Sequence, residues 1–202
     1  MELDQLLLQL EKFGVEHDRI KTKREERFRN ISRDMGQFLF TLVKGCNRKK
    51  ILEIGTSNGF STLWLASAAK ENGGTVTTVE LSSDRISQAL ENFKLANFTN
   101  QIDIHHQEAG AFLEVQPPKL YDFIFLDAER TQYVWWWENI KRILMPGGLI
   151  VIDNAISHAE ELQPFFRLIK EDETFKGVLV PLGTGAYFVR KESDSGVEKT
   201  QS

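Results

Sequence analysis

Residues 51–61 run Ile-Leu-Glu-Ile-Gly-Thr-Ser-Asn-Gly-Phe-Ser, which is typical of a strand, a loop with two glycines and the first turn of a helix. Gly55 would allow the backbone to turn tightly after the strand, and Gly59 would allow the helix and a ligand to approach closely. The spacing differs from G-x-G-x-x-G, the tighter loop that holds a pyrophosphate at a helix N-terminus. The stretch therefore favours a nucleoside-type ligand and disfavours a dinucleotide.

Strand-like and helix-like segments alternate from this stretch to residue 171. The strand-like runs lie at residues 51–54, 75–80, 102–105, 121–126 and 149–152. The helix-like segments lie at about residues 59–70, 83–96, 109–115, 131–144 and 158–171. Such alternation predicts a parallel sheet that is covered by helices on both faces.

The last part of the chain predicts a different strand connection. Two further strand candidates, residues 178–181 and 186–189, are joined by Leu182-Gly-Thr-Gly185, which is a hairpin signal. Met145-Pro-Gly-Gly148 is predicted to end the preceding helix sharply, before the fifth strand begins. The expected fold class is therefore α/β, with a doubly wound, mostly parallel seven-stranded sheet that ends in an antiparallel hairpin.

Two helices are predicted before the first strand. The first carries leucines at helical spacing from residue 3 to residue 10, and the second begins near Asn30 or Ser32, either of which can act as an N-cap. We expect residues 1–45 to form a helical cap over one edge or mouth of the sheet. The chain of 202 residues suits a single domain, here residues 1–191, and the polar tail 192–202 is expected to be disordered.

The composition, with 41% hydrophobic and 27% charged residues, is typical of a globular protein. No apolar run approaches the ~18 residues that span a bilayer, and the acidic start Met1-Glu-Leu-Asp4 differs from a signal peptide. A cytoplasmic protein with no membrane partner is therefore expected. The single cysteine, Cys46, excludes an intrachain disulfide and a cysteine-based zinc site.

The chain contains one basic run although its formal net charge is −4. The negative net charge by itself argues against broad nucleic-acid binding. The run contains Arg19, Lys21, Lys23, Arg24, Arg27, Arg29 and Arg33, against only Glu25 and Glu26. One interpretation is a solvated helix face. The other is a rim that attracts a phosphate-bearing substrate.

Acidic side chains end the first two predicted strands. Glu53 could orient an ammonium group, Ser61 could donate to a carboxylate, and Glu80 stands where an acid accepts both ribose hydroxyls. Glu108 and Ala109, after the third strand, lie where an adenine ring is expected. S-adenosylmethionine has an amino-acid part and a nucleoside but no phosphate, so it fits these residues and is the predicted cofactor. For the glycines alone, a generic turn is the alternative.

Oxygen-bearing side chains also end the fourth and fifth strands. Asp127 follows the run at 121–126, and Asp153 and Asn154 follow the run at 149–152. If the two strands are neighbours, their ends lie about 5 Å apart at the crevice where open α/β sheets bind ligands. Two carboxylates and an amide oxygen suit a hard cation such as Mg²⁺. The alternative is that Asp153 and Asn154 only begin a turn.

With these motifs the chain resembles the cation-dependent O-methyltransferases, the family of catechol and caffeoyl-CoA O-methyltransferases and their bacterial relatives. The resemblance covers about residues 30–190 and rests on residues 35–39, 52–61, 121–127, Tyr133 and residues 146–154. It implies a Rossmann-like class I methyltransferase that transfers a methyl group in line to a hydroxyl oxygen, assisted by a cation. It further implies Asp127, Asp153 and Asn154 as metal ligands, and a methyl-donor site formed by Glu53, Gly55, Ser61, Glu80, Glu108, Ala109 and Asp127.

Arg130 departs from this family, whose catechol enzyme has a lysine in the general-base role at this position. Arginine, with a pKa above about 12, cannot act as a base. The acceptor hydroxyl could ionise without a protein base, which favours an acidic phenol or a hydroxypyrimidine, or Arg130 could bind a carboxylate or phosphate of the substrate. A histidine could replace the base, namely His105, His106 or His158. The remaining interpretation is a surface ion pair with Glu129 or Glu138.

Three tryptophans, residues 135–137, follow Tyr133 on the helix after the fourth strand. Successive helical residues turn by about 100°, so the three side chains cannot all face the core. We expect one to pack inward and another to cover a neighbouring element. The third would form a pocket wall or a subunit contact.

The leading functional hypothesis is methylation of a catechol or related phenol. The second is O-methylation of a hydroxylated uridine in tRNA, which the basic run favours and the negative net charge of the chain disfavours. The third is a non-catalytic S-adenosylmethionine-binding sensor, which needs no metal ligands. A nicotinamide-dependent dehydrogenase is disfavoured by the missing third glycine. The long N-terminal helix and the spare aromatic residues favour a homodimer.

Overall fold

A computed structural model describes residues 2–23 and 26–193. Its helices are α1 (Leu3–Ile20), α2 (Arg33–Gly45), α3 (Phe60–Glu71), α4 (Ser83–Leu95), α5 (Ala109–Val115), α6 (Tyr133–Ile143) and α7 (Ala159–Glu171). Its strands are β1 (Lys50–Ile54), β2 (Thr75–Glu80), β3 (Ile102–His106), β4 (Tyr121–Leu126), β5 (Leu144–Ile152), β6 (Phe175–Val180) and β7 (Ala186–Lys191). The tail that was predicted to be disordered lies outside the described residues, apart from Glu192 and Ser193.

The seven strands form one sheet in the order β3-β2-β1-β4-β5-β7-β6. All neighbouring pairs are parallel except those of β7, which runs antiparallel to both β5 and β6. This confirms the predicted doubly wound sheet and its antiparallel C-terminal pair. The strand order reverses between β1 and β4, and such a reversal opens a crevice at the carboxyl ends of the strands.

The central strands are apolar on both sides because helices cover both faces of the sheet. Phe123 and Val151 pack with residues of α1 to α4 on one face. Ile124 and Ile150 pack with residues of α5, α6 and α7 on the other. Polar side chains therefore appear only where the strands end. The three central strands, β1, β4 and β5, place such side chains at the crevice.

Two local predictions about the last strands are wrong in detail. The helix before β5 ends at Ile143, but residues 145–148 lie within β5 rather than before it, where the pairing with β4 jumps from Tyr121↔Leu144 to Phe123↔Leu149. Such an irregularity tolerates a proline and two glycines that a regular ladder would not. Strand β6 begins at Phe175, three residues earlier than predicted, since that buried ring packs on Trp137 with 4.7 Å between the centroids.

The N-terminal helices pack on α3, and the linker between them reaches the crevice. Leu7 of α1 and Met35 of α2 are buried in the core on this face. Ser32 is the N-cap of α2 and accepts the N–H of Met35 at 3.2 Å. In the part of the chain that the structure describes, no helix is both long enough and apolar enough to cross a membrane.

The basic run is not a single solvated helix face, so that interpretation is wrong. Arg19 lies at the end of α1, Lys21 and Arg29 lie in the linker, and Arg33 begins α2. Arg24 and Glu25 lie outside the described residues. Arg33 Nε lies 2.8 Å from Glu11 Oε2, so part of the positive charge is neutralised within the cap.

Candidate active site

A cavity of about 640 Å³ opens at the carboxyl ends of β1, β2, β4 and β5. It is lined by seven of the residues that the sequence predicted, namely Gly55, Glu80, Glu108, Ala109, Asp127, Arg130 and Asn154. It is also lined by residues that were not assigned to the donor or metal site, among them Phe28, Arg29, Ser57, Arg85, Trp136 and His158. Its volume is within the range of small-molecule sites.

Gly55 is required by the contact between the ends of β1 and β4. Its φ is +102°, and a Cβ there would overlap the carbonyl oxygen of Asp127. Gly59 (φ +85°) is the N-cap of α3, where a side chain would overlap Phe93 of α4. Gly55 therefore shapes the cavity wall, whereas Gly59, which is not in the wall, allows two helices to pack.

Glu80 is held in the cavity wall by three backbone N–H groups. Its Oε2 accepts the N–H of Ser57 at 2.9 Å, and its Oε1 accepts those of Leu81 at 2.9 Å and Ser82 at 3.0 Å. The carboxylate retains further lone-pair capacity. A rigid acceptor at the end of β2 is what the predicted ribose contact requires.

Glu53 and Ser61 lie beneath the loop rather than in the cavity wall. Glu53 is fully buried and accepts hydrogen bonds from Ser61 Oγ at 2.6 Å, from Thr78 Oγ1 at 2.7 Å and from Thr62 Oγ1. Burial raises the pKa of Glu53 to about 7, although the three hydroxyls oppose the rise. The structure therefore places both residues in one internal network, and their contact with a ligand stays a prediction.

Glu108 and Ala109 border the cavity at the start of α5. Glu108 is the N-cap of this helix and accepts the N–H groups of Gly110 and Ala111, each at 2.8 Å. Trp136 lines the cavity and approaches Gly110 so closely that an added Cβ would meet its indole nitrogen. A flat apolar wall at this end is consistent with the predicted adenine position.

Asp127, Asp153 and Asn154 come together where β4 and β5 end. The pairing of Leu126 with Ile152 brings the next residues of both strands side by side. Asn154 Nδ2 lies 2.8 Å from Asp153 Oδ2 and 3.4 Å from Asp127 Oδ1. Asn154 has a φ of +63°, so it also begins a turn, but its amide contacts both carboxylates.

The two carboxylates oppose each other's ionisation. Burial and the charge of Asp153 raise the pKa of Asp127 to about 8, while Arg29 and Arg130 act in the opposite direction. Burial also raises the pKa of Asp153, although hydrogen bonds from Asn154 and Thr184 counteract it.

The chemistry of this donor set fits a divalent cation, which would relieve the repulsion. Rotation of the Asn154 amide would present its oxygen in place of Nδ2. In residues 2–23 and 26–193, no group of three His, Cys, Asp or Glu side chains could hold a metal ion. A cation site would therefore depend on this amide oxygen.

Arg130 is buried, with only 4% of its surface exposed, in a short 3-10 turn before α6. Its Nε donates to Glu161 Oε2 of α7 at 2.9 Å. The predicted surface ion pair with Glu129 or Glu138 is therefore wrong, because packing of α7 against this turn supplies a different partner. Arg130 Nη2 has no hydrogen-bond partner among the described residues.

Of the histidines considered as a base, only His158 lines the cavity. Its Nδ1 lies 2.9 Å from Ser157 Oγ. His105 Nε2 lies 3.0 Å from Asp103 Oδ2, and His106 Nε2 lies 3.0 Å from the carbonyl oxygen of Leu81. Neither of these two histidines is in the cavity wall.

The three consecutive tryptophans take three different environments, as the helical geometry predicted. Trp137 is buried against Phe165 and Phe175, Trp136 lines the cavity, and Trp135 is 78% exposed. Tyr133 is fully buried, and its hydroxyl accepts the N–H of Ala128 at 2.8 Å. This bond holds the backbone directly after Asp127.

Comparison with known proteins gives consistent matches. A family model described as O-methyltransferase matches residues 3–192. A catechol O-methyltransferase from Niastella koreensis is 33% identical over 139 residues, which cover 66% of this chain and 61% of that enzyme. A caffeoyl-CoA O-methyltransferase from Medicago sativa is 30% identical and is matched over 80% of this chain and 70% of its own length. The solved structure of the Bacillus cereus O-methyltransferase in complex with SAH superposes with a TM-score of 0.75 at 23% identity, over 94% of this chain and 90% of that one.

Proposed function

Because this chain belongs to the O-methyltransferase family and is an S-adenosylmethionine-dependent O-methyltransferase of that family, we propose that it methylates a hydroxyl of a catechol or related phenol with the assistance of Mg²⁺. The observation that carries the proposal is the cluster of Asp127, Asp153 and Asn154 at the cavity that also contains Glu80. A methyl-donor site and a hard-cation site would then share one cavity.

In this proposal the donor end of the cavity binds the nucleoside. Glu80 accepts the ribose hydroxyls, and Glu108 and Ala109 border the adenine ring next to Trp136. Gly55 keeps the loop close to the ligand, because it carries no side chain at the junction of β1 and β4. The fixed backbone partners of Glu80 mean that little reorganisation accompanies binding.

At the other end, Asp127, Asp153 and Asn154 would hold the cation. A cation bound there would supply positive charge that favours the ionised form of the acceptor hydroxyl. The buried guanidinium of Arg130 acts in the same direction, since it lies close enough to both carboxylates to lower their pKa values. It cannot accept the hydroxyl proton, so an acceptor that ionises readily is favoured.

The proposal is tested with the Asp153→Ala variant in a methyl-transfer screen. Labelled S-adenosylmethionine is supplied with catechols and phenolic acids, with and without chelator. We expect the variant and the chelator each to abolish turnover of a phenol, while the affinity for S-adenosylhomocysteine changes by less than about twofold. Asp103→Ala, which removes an exposed carboxylate on β3, is the control.

Unchanged methylation in Asp153→Ala or in chelator would contradict the role of the cation. If no acceptor is methylated although the donor binds, the sensor hypothesis gains support. The same screen includes undermodified tRNA, because Arg29 connects the basic run to the cavity. Methylation of tRNA but of no phenol would favour the RNA alternative.

We also propose that the protein is a cytoplasmic homodimer. Support for the dimer comes from apolar side chains that α1 and α6 leave exposed, in particular Val15 at 68%, Ile20 at 72% and Trp135 at 78%. Sedimentation equilibrium at micromolar concentration tests it. A monomer mass would contradict the prediction.

A further inference from the structure

We propose that Asp18 of α1, which lies outside the cavity, is a positioning residue for the methyl donor, because it holds the linker between α1 and α2 against both segments that fix the carboxylate of Glu80. The inference rests on the proposed function, in which Glu80 accepts the ribose hydroxyls, and it adds a residue on which that contact depends. The linker segment concerned is residues 26–32.

Asp18 binds the linker from the side of α1. Its two carboxylate oxygens accept the consecutive N–H groups of Phe28 and Arg29, each at 2.7 Å. Although partial burial opposes ionisation, hydrogen bonds from His17, Arg29 and Phe28 lower the pKa of Asp18 below its usual value. Hydrogen bonds to a charged acceptor are roughly twice as strong as those between neutral groups. Asp18 is therefore a strong anchor for the backbone of residues 28 and 29.

The backbone conformation of the linker depends on this anchor. Arg29 has a φ of +53°, in the left-handed region that a residue with a side chain adopts at some energetic cost. Such a conformation persists only where surrounding contacts hold it, and the N–H of Arg29 is one of the two groups that Asp18 binds. The buried ring of Phe28 stacks on His17 with 4.0 Å between the centroids. Without Asp18, we expect the backbone at Arg29 to relax to a negative φ.

The linker is connected to one oxygen of Glu80 through the loop after β1. Ser57 Oγ donates to the carbonyl oxygen of Phe28, and the N–H of Ser57 donates to Glu80 Oε2, both at 2.9 Å. Ser57 has a φ of +50°, so its conformation also depends on the contacts that hold it. The direction of the N–H group that Ser57 presents to Glu80 therefore depends on the position of the linker.

The linker is connected to the other oxygen of Glu80 through the start of α4. Arg85 Nη2 donates to the carbonyl oxygen of Arg27 at 3.0 Å. Arg85 lies in the first turn of α4, and its N–H donates to Oγ of the N-cap residue Ser82 at 3.4 Å. The N–H of Ser82 in turn donates to Glu80 Oε1 at 3.0 Å. Both oxygens of Glu80 are thus held by segments that the linker contacts.

This arrangement matters for the ribose, because two adjacent hydroxyls require both oxygens of Glu80 in a fixed direction. If the linker relaxes, the carboxylate keeps its charge but loses its fixed orientation, and part of the binding free energy is then spent on ordering it. We therefore expect the loss of Asp18 to weaken the recognition of the ribose hydroxyls more than the binding of the rest of the donor.

The experiment measures the binding of S-adenosylhomocysteine and of its 2′-deoxy analogue to the full-length protein by calorimetry, below the Tm of each variant. We expect wild type to prefer S-adenosylhomocysteine by about tenfold or more, and Asp18→Ala to reduce this ratio by about threefold or more. Asp18→Asn keeps one acceptor oxygen and should reduce the ratio less; it carries the test if Asp18→Ala does not fold. Glu16→Ala removes an exposed carboxylate from the same helix and should leave the ratio unchanged.

The connection through Ser57 is tested with Ser57→Gly, which tolerates the positive φ and keeps the N–H group but removes the hydroxyl. This variant should also reduce the ratio. In its background Asp18→Ala should have a smaller effect than in wild type, because the two residues share one connection to Glu80. An undiminished effect would overturn the connection through Ser57.

The ratio in Asp18→Ala decides the inference. If this variant lowers the Tm but keeps the wild-type ratio, or weakens both ligands equally, Asp18 has a structural role only and its assignment as a positioning residue is overturned. Glu80→Gln separates this outcome from a failure of the proposed function. A wild-type ratio in Glu80→Gln would overturn the ribose assignment itself, whereas a lost ratio in Glu80→Gln with an unchanged ratio in Asp18→Ala would overturn only the role of Asp18.

Discussion

Asp127→Asn is expected to make the cation-free protein more stable at alkaline pH, although it removes a proposed metal ligand. In the folded protein, burial and the charge of Asp153 raise the pKa of Asp127 from 3.8 to about 8. The folded chain therefore keeps a proton that the unfolded chain has already released. The stability of the protein falls as the pH rises from about 4 to about 8, and the amide, which carries no charge, avoids this loss.

The magnitude follows from the pKa difference. A pKa difference of about four, at about 1.4 kcal/mol each, gives an upper bound of about 6 kcal/mol for the stability that is lost above pH 8. Asp127 borders the cavity, where water weakens the effect, so we expect an amount on the order of 2 kcal/mol. For a domain of this length, that corresponds to a rise in Tm of about 4–8 °C.

The assay is thermal unfolding in EDTA at pH 5 and at pH 8.5. Wild type, Asp127→Asn and the control Asp103→Asn, whose carboxylate is largely exposed on β3, are compared. The advantage of Asp127→Asn should be small at pH 5 and large at pH 8.5. Saturating Mg²⁺ should stabilise wild type and Asp103→Asn, by about 2.7 kcal/mol at 100 times the Kd, but not Asp127→Asn, and so remove the advantage of that variant.

Two results would refute the reasoning. If Asp127→Asn melts at or below the wild-type temperature in EDTA at pH 8.5, the two carboxylates do not destabilise the empty site. If Mg²⁺ raises the Tm of wild type and of the variant equally, Asp127 is not a ligand of the cation.

Three further expectations concern the donor site and the core. Glu80→Gln should weaken the binding of S-adenosylhomocysteine by about tenfold or more in calorimetry, since charge-assisted bonds at the end of β2 are lost; an unchanged Kd would contradict the ribose assignment. Gly55→Ala should lower the free energy of unfolding by about 3 kcal/mol or more, which corresponds to a fall in Tm of about 6–12 °C. The reason is the positive φ of Gly55 and the overlap of a Cβ with the carbonyl oxygen of Asp127. A loss below about 1 kcal/mol would be inconsistent with this packing. Trp137→Ala should lower the free energy of unfolding in urea by about 3–5 kcal/mol, whereas Trp135→Ala should change it by no more than about 0.5 kcal/mol. Equal losses in the two variants would contradict the orientation of α6.

The general arrangement of the site was predictable from the sequence because polar residues directly follow apolar runs. Glu80 ends β2, and Asp127 and Asp153 directly follow β4 and β5, so a parallel sheet brings all three to one edge. The sequence alone leaves open which strands are neighbours. The structure supplies it by placing β4 between β1 and β5.

Contacts between distant segments were not predictable in the same way. The carboxylate of Glu53 ends a strand just as Glu80 does, yet it turns to the hydroxyls of α3 and β2 instead of the cavity. Arg130 finds its partner 31 residues later in the chain, on α7. No local pattern distinguishes these partners from the neighbouring acids that were considered for Arg130.

The sequence by itself thus determined the α/β class, the alternation of elements and the residues that reach the carboxyl ends of the strands, because hydrophobic periodicity is a local property of the chain. Only the tertiary structure decided that Phe28 and Arg29 complete the cavity wall. Their place depends on Asp18 in α1 and on Ser57 in the loop after β1, and these residues meet only when the cap packs on α3. The physical reason is that periodicity records which side chains are buried, whereas the partner of a polar group is set by the packing of the whole chain.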